Sequence, residues 1–485
     1  MKTINIKDII YDGKVYPREK PSSSTISDYA DALASGAIFP PIVLEKESNR
    51  LLDGYHRWKA HQTIVDTAGI FEDDKKRLAF ESISVEFRVV PEGITPRLYA
   101  YSLSSQHGLR PKASDAKITA EEQYKEMPGT PMTTFCKYLG VSDKTAKGYI
   151  KHLIAQFEET RRTAIMRLSF LGWTQQEISD RLAEVWPEAK GAARGGLSES
   201  LSESGEIGKL RILTKADIDK GHDIKTVATR HGLPEILVSL YAMEGMDDAK
   251  RLETLDIKIQ PYDVWNFSGC HPLMGDVHPG RIPGELICHA LYFMTKPGDL
   301  VVDPMVGSGT TLDACLLMGR KVRGYDIDGR HKRIDVEKYS MSDGWPSKVV
   351  KADLIFWDPP YFDKMDKKTI GEEGYVEGSI SGLTPAEYLE WLAVRFKTLY
   401  DQTKDKVKFA FLMSDWDSEN AKQYEGHDGI YLWDYVAALQ KAGWKVKRQI
   451  QCPLPTQQVH PDIVLKFREA KRLARLGRYL LEVEK

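Results

Sequence analysis

The chain has 485 residues, 42% of them hydrophobic and 28% charged, with 68 Lys and Arg against 70 Asp and Glu for a formal net charge of −2. That length exceeds what one hydrophobic core organises, so two to four domains are expected, with the composition of a soluble globular protein. There is no run of 18 apolar residues, Met1-Lys2-Thr3-Ile4-Asn5 is no signal peptide, and the five cysteines form no Cys-x-x-Cys pair, so the reading expects a reducing cytoplasm, no membrane and no metal.

From the N-terminus, a helix is predicted from Ile26 to Ser35, then a strand in Pro40-Pro41-Ile42-Val43-Leu44 and another in Arg50-Leu51-Leu52. Asp53-Gly54 turns into a helix that begins Tyr55-His56-Arg57-Trp58. A strand, a glycine turn and a basic helix start would put Gly54, His56 and Arg57 where phosphates bind. This segment, residues 1–110, is similar to the N-terminal domain of ParB-like proteins, which carry a Pro-Ile segment, a strand and Gly-x-x-Arg at a helix start. Gly54 and Arg57 match that pattern, and His56 stands where many members have Arg. The resemblance implies an α+β domain with CTP at this place. Ser102 to Ala116, which includes Gln106-His107-Gly108-Leu109-Arg110, lies where the family has a second nucleotide-contacting segment, but lacks its Glu-Asn element. What is implied is therefore nucleotide binding without hydrolysis, or an adaptor that has lost the ligand.

Residues 111–190 read as a DNA-binding region. A helix from Thr133 to Leu139, a turn at Gly140-Val141-Ser142 and a second helix from Asp143 to Leu153 form a helix-turn-helix with Ser142 as N-cap. Lys144, Thr145, Lys147 and Tyr149 would then face DNA. Similar pairs are predicted at Ala164–Leu171 with Gln175–Val185, and across Ile224–Leu240. Gln106–Leu168 carries 11 basic against 7 acidic residues and Lys441–Lys485 carries 11 against 4, so phosphate-facing patches are compatible with the near-neutral total. Five glycines between Lys190 and Gly208 predict a flexible linker at 191–208, followed by a helical connector at 209–260 and a last domain at 261–485.

In that domain an apolar strand, Leu300-Val301-Val302-Asp303, runs into Pro304-Met305-Val306-Gly307-Ser308-Gly309-Thr310-Thr311 and a helix. A second strand ends at Tyr325-Asp326, 23 residues beyond Asp303, where an acid can hold ribose hydroxyls. No Gly-Lys-Ser/Thr follows the glycines, which disfavours a phosphate loop, and the Gly-x-Gly-x-x-Gly of dinucleotide folds is incomplete. S-adenosylmethionine remains, with Asp303 near its methionine end and Asp326 on its ribose. Downstream, the buried strand Leu354-Ile355-Phe356-Trp357 leads into Asp358-Pro359-Pro360-Tyr361. Two prolines make a rigid ledge that offers a carboxylate, carbonyl oxygens and an aromatic face. An exocyclic amine on a base needs such acceptors and such a ring.

On these residues, with His278-Pro279-Gly280-Arg281-Ile282-Pro283, the segment from about Trp265 to Lys485 resembles the DNA amino-methyltransferases that modify adenine N6 or cytosine N4. The resemblance implies an α/β Rossmann-like sheet of seven strands, an S-adenosyl-L-methionine donor and a flipped target base. It carries Arg281, Pro283, Asp303, Pro304, Met305, Gly307, Ser308, Gly309, Thr310, Asp326 and Ile327 to the cofactor, and Asp358, Pro359, Pro360 and Tyr361 to the reaction. The family usually has Phe where Met305 stands. Asp358 and the Pro359 carbonyl would accept the two amine hydrogens, making the nitrogen more nucleophilic while Tyr361 stacks on the base. Asp-Pro-Pro-Tyr is the commoner adenine form, so adenine is favoured over cytosine. A mobile loop is expected from Phe362 to Gly382. Strands are expected at Lys408–Ser414, Trp444–Ile450 and Ile463–Phe467, with an amphipathic helix at Tyr431–Lys441 and a helix at the end of the chain. The rival readings are a non-catalytic ParB-like DNA-binding regulator with a nucleotide switch, and a nuclease fusion. DNA is the expected partner, in a restriction-modification or self-marking setting that allows a dimer.

Overall fold

The computed structural model of the chain describes residues 2–67, 76, 78–106, 111–192, 197–267, 269–277, 281–327, 333–360, 383–417, 429–453, 461–469, 471, 473 and 476–485. They divide into two units, Met1–Arg161 with Ser179–Gly196, and Arg162–Ile178 with Leu197–Lys485.

The first unit opens with a four-stranded sheet of β1 (Lys2–Asn5), β2 (Ile42–Glu45), β3 (Leu51–Asp53) and β4 (Ser82–Arg88), in the order β1-β4-β2-β3. Helices α1 (Ser23–Ala34) and α2 (Tyr55–Asp66) accompany it. Ile42, Leu44, Leu51, Trp58, Ile83 and Val85 form the core between them. Helices α3 (Pro96–Gln106), α4 (Ala113–Glu126) and α5 (Met132–Leu139) then build a second core around Leu98, Tyr124, Phe135 and Ile150. Gly140 ends α5 in the left-handed region (φ 68°), and Ser142 Oγ accepts from Thr145 N–H at 3.2 Å to cap the next helix. That helix, α6, runs over Asp143–Phe170, well past the predicted end at Leu153. The predicted second pair therefore shares its first helix with the first pair, and only its turn and α7 (Gln175–Val185) are new.

In the second unit, helices α8 (Leu197–Leu201), α9 (Glu206–Asp219), α10 (Ile224–His231), α11 (Glu235–Ala242) and α12 (Asp248–Thr254) precede the main sheet. Over the described residues 191–192 and 197–208 this corrects the flexible linker predicted at 191–208; 193–196 lie outside the described residues. Leu197 is buried, and a Cβ at Gly205 or Gly208 would strike the carbonyls of Glu199 or Ser202, so these glycines serve close backbone packing. It also corrects the separate connector at 209–260. Arg251 donates to Leu317 O at 2.6 Å, and Arg320, fully buried, pairs with Asp248 at 2.5 Å, which joins these helices to the sheet domain. The pair α10–α11 has the predicted Gly232 turn, but Leu237 to Tyr241 of α11 are buried, so that helix is core rather than a DNA reader.

The main sheet has seven strands in the order β12-β13-β9-β8-β5-β6-β7: β5 (Leu300–Asp303), β6 (Lys321–Asp326), β7 (Val336–Lys338), β8 (Leu354–Trp357), β9 (Lys408–Ser414), β12 (Lys445–Gln451) and β13 (Arg478–Glu484). Strands β10 (Trp416–Asp417) and β11 (Gly429–Ile430) form a separate two-stranded piece. Strands β5 to β9 are parallel, and β13 inserts antiparallel between β9 and β12. Helices α13 (Gly284–Met294), α14 (Thr310–Leu317), α15 (Pro385–Gln402) and α16 (Leu432–Ala442) complete a doubly wound domain, with Trp357, Phe396, Phe409, Phe411 and Trp444 in one core. The predicted strand at Ile463–Phe467 is instead part of helix α17 (Pro461–Glu469). The chain ends in strand β13 and not in the helix expected there. Its Leu480, Leu481 and Val483 are fully buried, and Glu482 pairs with Arg448. Among the described residues no helix is long and apolar enough to cross a membrane.

Candidate active site

Parallel pairing decides where the acids lie. Val301 and Val302 of β5 pair with Leu354 and Ile355 of β8, while Asp303 pairs with Gly324 of β6. Asp303 ends β5, Asp326 ends β6 and Asp358 follows β8, so all three stand at the carboxyl edge of neighbouring strands. In parallel sheets this is where ligands are bound. Their charges act on one another: burial first, then the Asp358 and Asp326 carboxylates, push the Asp303 carboxyl up to about 7 against the pull of the Thr311 hydroxyl and the Met305 N–H. The Met305 N–H donates to Asp303 Oδ1 at 3.0 Å.

The glycine loop crosses this edge. Gly307 (φ 49°) and Gly309 (φ 82°) both occupy the left-handed region that side chains disfavour. Gly307 N–H donates to Asp326 Oδ2 at 2.9 Å, and Gly309 is the N-cap of α14. Pro304, Ser308 and Thr310 are buried, and Met305, Gly307 and Ile327 are half-buried. The Ser308 and Thr310 hydroxyls lie 3.1 Å apart. Gly324 lets β6 approach the loop, since a Cβ there would come within 2.7 Å of Val306.

Arg281 turns its guanidinium onto the carbonyls of His271 and Met274, and Pro283 is the N-cap of α13, so both shape the chain leading into the domain. Asp358 is half-buried and Pro359 buried, and the Pro360 carbonyl accepts from the Tyr388 hydroxyl at 3.1 Å. Tyr361, the predicted loop Phe362–Gly382 and His278-Pro279-Gly280 lie outside the described residues.

Sequence reasoning missed a ring of buried charges behind the loop. Arg333 Nη2 reaches Asp313 Oδ1 at 2.8 Å and its Nε reaches Asp335 Oδ1 at 3.1 Å. Arg167 contacts the same two acids, Asp335 at 2.6 Å. The cations hold both carboxyl groups below their ordinary range in spite of burial. The one available signal was an acid, Asp313, inside the otherwise apolar Leu312–Leu317.

In the first unit, Lys144, Thr145 and Lys147 are exposed near the start of α6, while Tyr149 is half-buried against the helical core. Lys147 pairs with Asp143 at 2.8 Å across one helical turn. Gly54 (φ 96°) is the N-cap of α2, and a Cβ there would strike Ile42. The two basic neighbours are both bonded within the protein. His56 Nε2 accepts from Ser22 N–H at 3.0 Å, and burial, then Arg18, brings its imidazole down to about 4. Arg57 donates to the Pro40 and Pro41 carbonyls at 2.6 and 2.9 Å and to Asp53 at 2.8 Å. The turn nevertheless borders a cavity of about 530 Å³, with Tyr11, Tyr16, Arg18, Tyr55 and Arg88 in its wall.

Residues 214–337 match the family model described as DNA methylase. That match is about a quarter of the chain; it includes the glycine loop and Asp326 and stops before Asp358. The DNA adenine methyltransferase YhdJ of Escherichia coli (strain K12) is 33% identical over 84 residues, 17% of this chain and 29% of that protein. The Type II methyltransferase M.BglII of Bacillus subtilis is 31% identical over 90 residues, 18% of this chain and 24% of its own length. The chain thus spans less than a third of the length of these curated relatives. A solved S-adenosylmethionine dependent methyltransferase from Mesorhizobium loti is 15% identical, covering 40% of this chain and 96% of its own, with a TM-score of 0.25. The strand order described above carries the fold assignment. S-adenosyl-L-methionine is the cofactor that the DNA methylase match supports.

Proposed function

We propose that the second unit is a DNA methyltransferase that uses S-adenosyl-L-methionine to modify the exocyclic amine of an everted base, adenine N6 in preference to cytosine N4. The observation that carries this reading is the meeting of Asp303, Asp326 and Asp358 at one carboxyl edge, around a glycine loop. An Asp303 carboxyl opposed by its Asp326 and Asp358 neighbours suits a ligand with a cationic centre and ribose hydroxyls. Asp303, Pro304, Met305, Gly307, Ser308, Gly309, Thr310, Asp326 and Ile327 would hold the cofactor, with Arg281 and Pro283 shaping its approach. When bound, it supplies an electrophilic methyl group on sulfur. Asp358 and the Pro359 carbonyl accept the amine hydrogens, and Tyr361 is assigned the stacking of the base. The amine is inaccessible within a duplex, so the base must leave the stack.

Lys144, Thr145, Lys147 and Tyr149 are proposed to contact DNA, and the 530 Å³ cavity beside Gly54 to take a nucleotide such as CTP, as in ParB-like proteins. The reading places the protein in the cytoplasm, in restriction-modification or self-marking, and allows a dimer. The test is transfer of labelled methyl groups to DNA, with the modified base identified by mass spectrometry. Asp358→Ala is expected to abolish transfer while S-adenosylmethionine still binds. Methylation by that variant at the wild-type rate overturns the mechanism. CTP binding without S-adenosylmethionine binding would favour the ParB-like regulator.

A further inference from the structure

The glycine loop is held from behind by a side chain that the proposed chemistry does not use. Arg333 lies against the Cα of Gly309 so closely that a Cβ at that position would come within 2.5 Å of the guanidinium carbon. Its Nη1 donates to the Ser308 carbonyl at 3.3 Å, the same oxygen that accepts from Asp276 N–H at 2.8 Å. The remaining guanidinium hydrogens go to Asp313 and Asp335 as two forks. Asp313 Oδ2 also accepts from Gly275 N–H at 2.7 Å, so the ring ties segment 275–276, the loop and the first turn of α14 together.

The arrangement needs an arginine. Only a planar guanidinium can lie flat on a glycine while filling two carboxylate forks and reaching a backbone oxygen; a lysine ammonium cannot. A buried ring of two cations and two anions is also a poor source of net stability, because desolvation offsets most of its Coulomb gain. Its effect is geometric. It determines which way the Ser308 carbonyl points and fills the space that a side chain at Gly309 would need.

We propose that Arg333 is a positioning residue that holds the glycine loop in its cofactor-binding shape, acting through the Ser308 carbonyl and the Gly309 backbone without touching the cofactor. This rests on the reading of the loop as the S-adenosylmethionine site.

The experiment is calorimetric titration of the full chain with S-adenosylmethionine. Arg333→Lys is compared with Arg320→Lys, a matched buried arginine that packs just before the start of β6, at the opposite edge of the sheet. Arg333→Lys is expected to weaken binding tenfold or more, with methyl transfer recovering at saturating cofactor, so that KM for the cofactor rises far more than kcat falls. Arg320→Lys is expected to lower the melting temperature while leaving the affinity within twofold. If Arg333→Lys does not fold, the charge-balanced pair Arg333→Gln with Asp335→Asn is expected to show the same loss. Wild-type affinity in either Arg333 variant, or an equal loss in Arg320→Lys, overturns the inference alone. No binding by the wild-type chain removes the cofactor reading and the inference with it.

Discussion

Asp303→Asn separates stability from function at one atom. The Asp303 carboxyl is 2% exposed and raised from 3.8 to about 7, so at pH 8 the folded protein holds a buried charge that its surroundings oppose. Between about pH 4 and pH 7 the folded state binds a proton that the unfolded chain has released. Stability therefore falls as pH rises through this window and is level above it. The displacement corresponds to roughly 4 kcal/mol, at about 1.4 kcal/mol per pH unit. Asparagine keeps an oxygen for the Met305 N–H and carries no charge. Without ligand, Asp303→Asn is expected to be more stable than wild type at pH 8, by about 2–4 kcal/mol, with the gap closing toward pH 4. Its response to S-adenosylmethionine should be lost, because an anion facing a cationic ligand is gone. Urea denaturation at pH 4.5, 6 and 8, followed by fluorescence of the tryptophans around the sheet and repeated with ligand, measures both effects. A variant less stable than wild type at pH 8, or a difference that does not change with pH, refutes the electrostatic argument.

Two further outcomes follow from the geometry. Tyr388→Phe removes the hydroxyl that donates to the Pro360 carbonyl, so kcat is expected to fall by about fivefold to tenfold, the value of one hydrogen bond near 1 kcal/mol, with cofactor affinity unchanged in calorimetry. Lys144→Ala with Lys147→Ala is expected to weaken DNA binding across sequences and to lower the slope of log affinity against log salt by about 2, measured by fluorescence anisotropy; an unchanged slope places phosphate contacts elsewhere.

Much of the second unit was legible because its signals are local. The apolar runs at Val301, Val322, Ile355 and Phe409 became strands, and the glycines at 307 and 309 do occupy the conformation that only glycine takes easily. The end of the chain was misread because β13 is stabilised by neighbours on both sides. Its charges, read along the sequence, look like a solvated helix, whereas Glu482 is buried against Arg448. The glycines at 205 and 208 were misread for a related reason: flexibility and close packing call for the same residue, and only the nearby carbonyls of Glu199 and Ser202 distinguish them.

The sequence by itself determined the chemical inventory: an acid after each of three apolar strands, a glycine turn between two of them and a proline ledge after the third. Whether those acids share an edge depended on strand order, which is set by pairing between residues tens of positions apart. Tertiary structure alone decided that β8 lies beside β5, that Arg333 and Arg167 close on Asp313 and Asp335, and that Arg57 turns back on Pro40 and Asp53. A side chain's partner is chosen by what the fold brings within a few ångströms, and a linear pattern does not carry that distance.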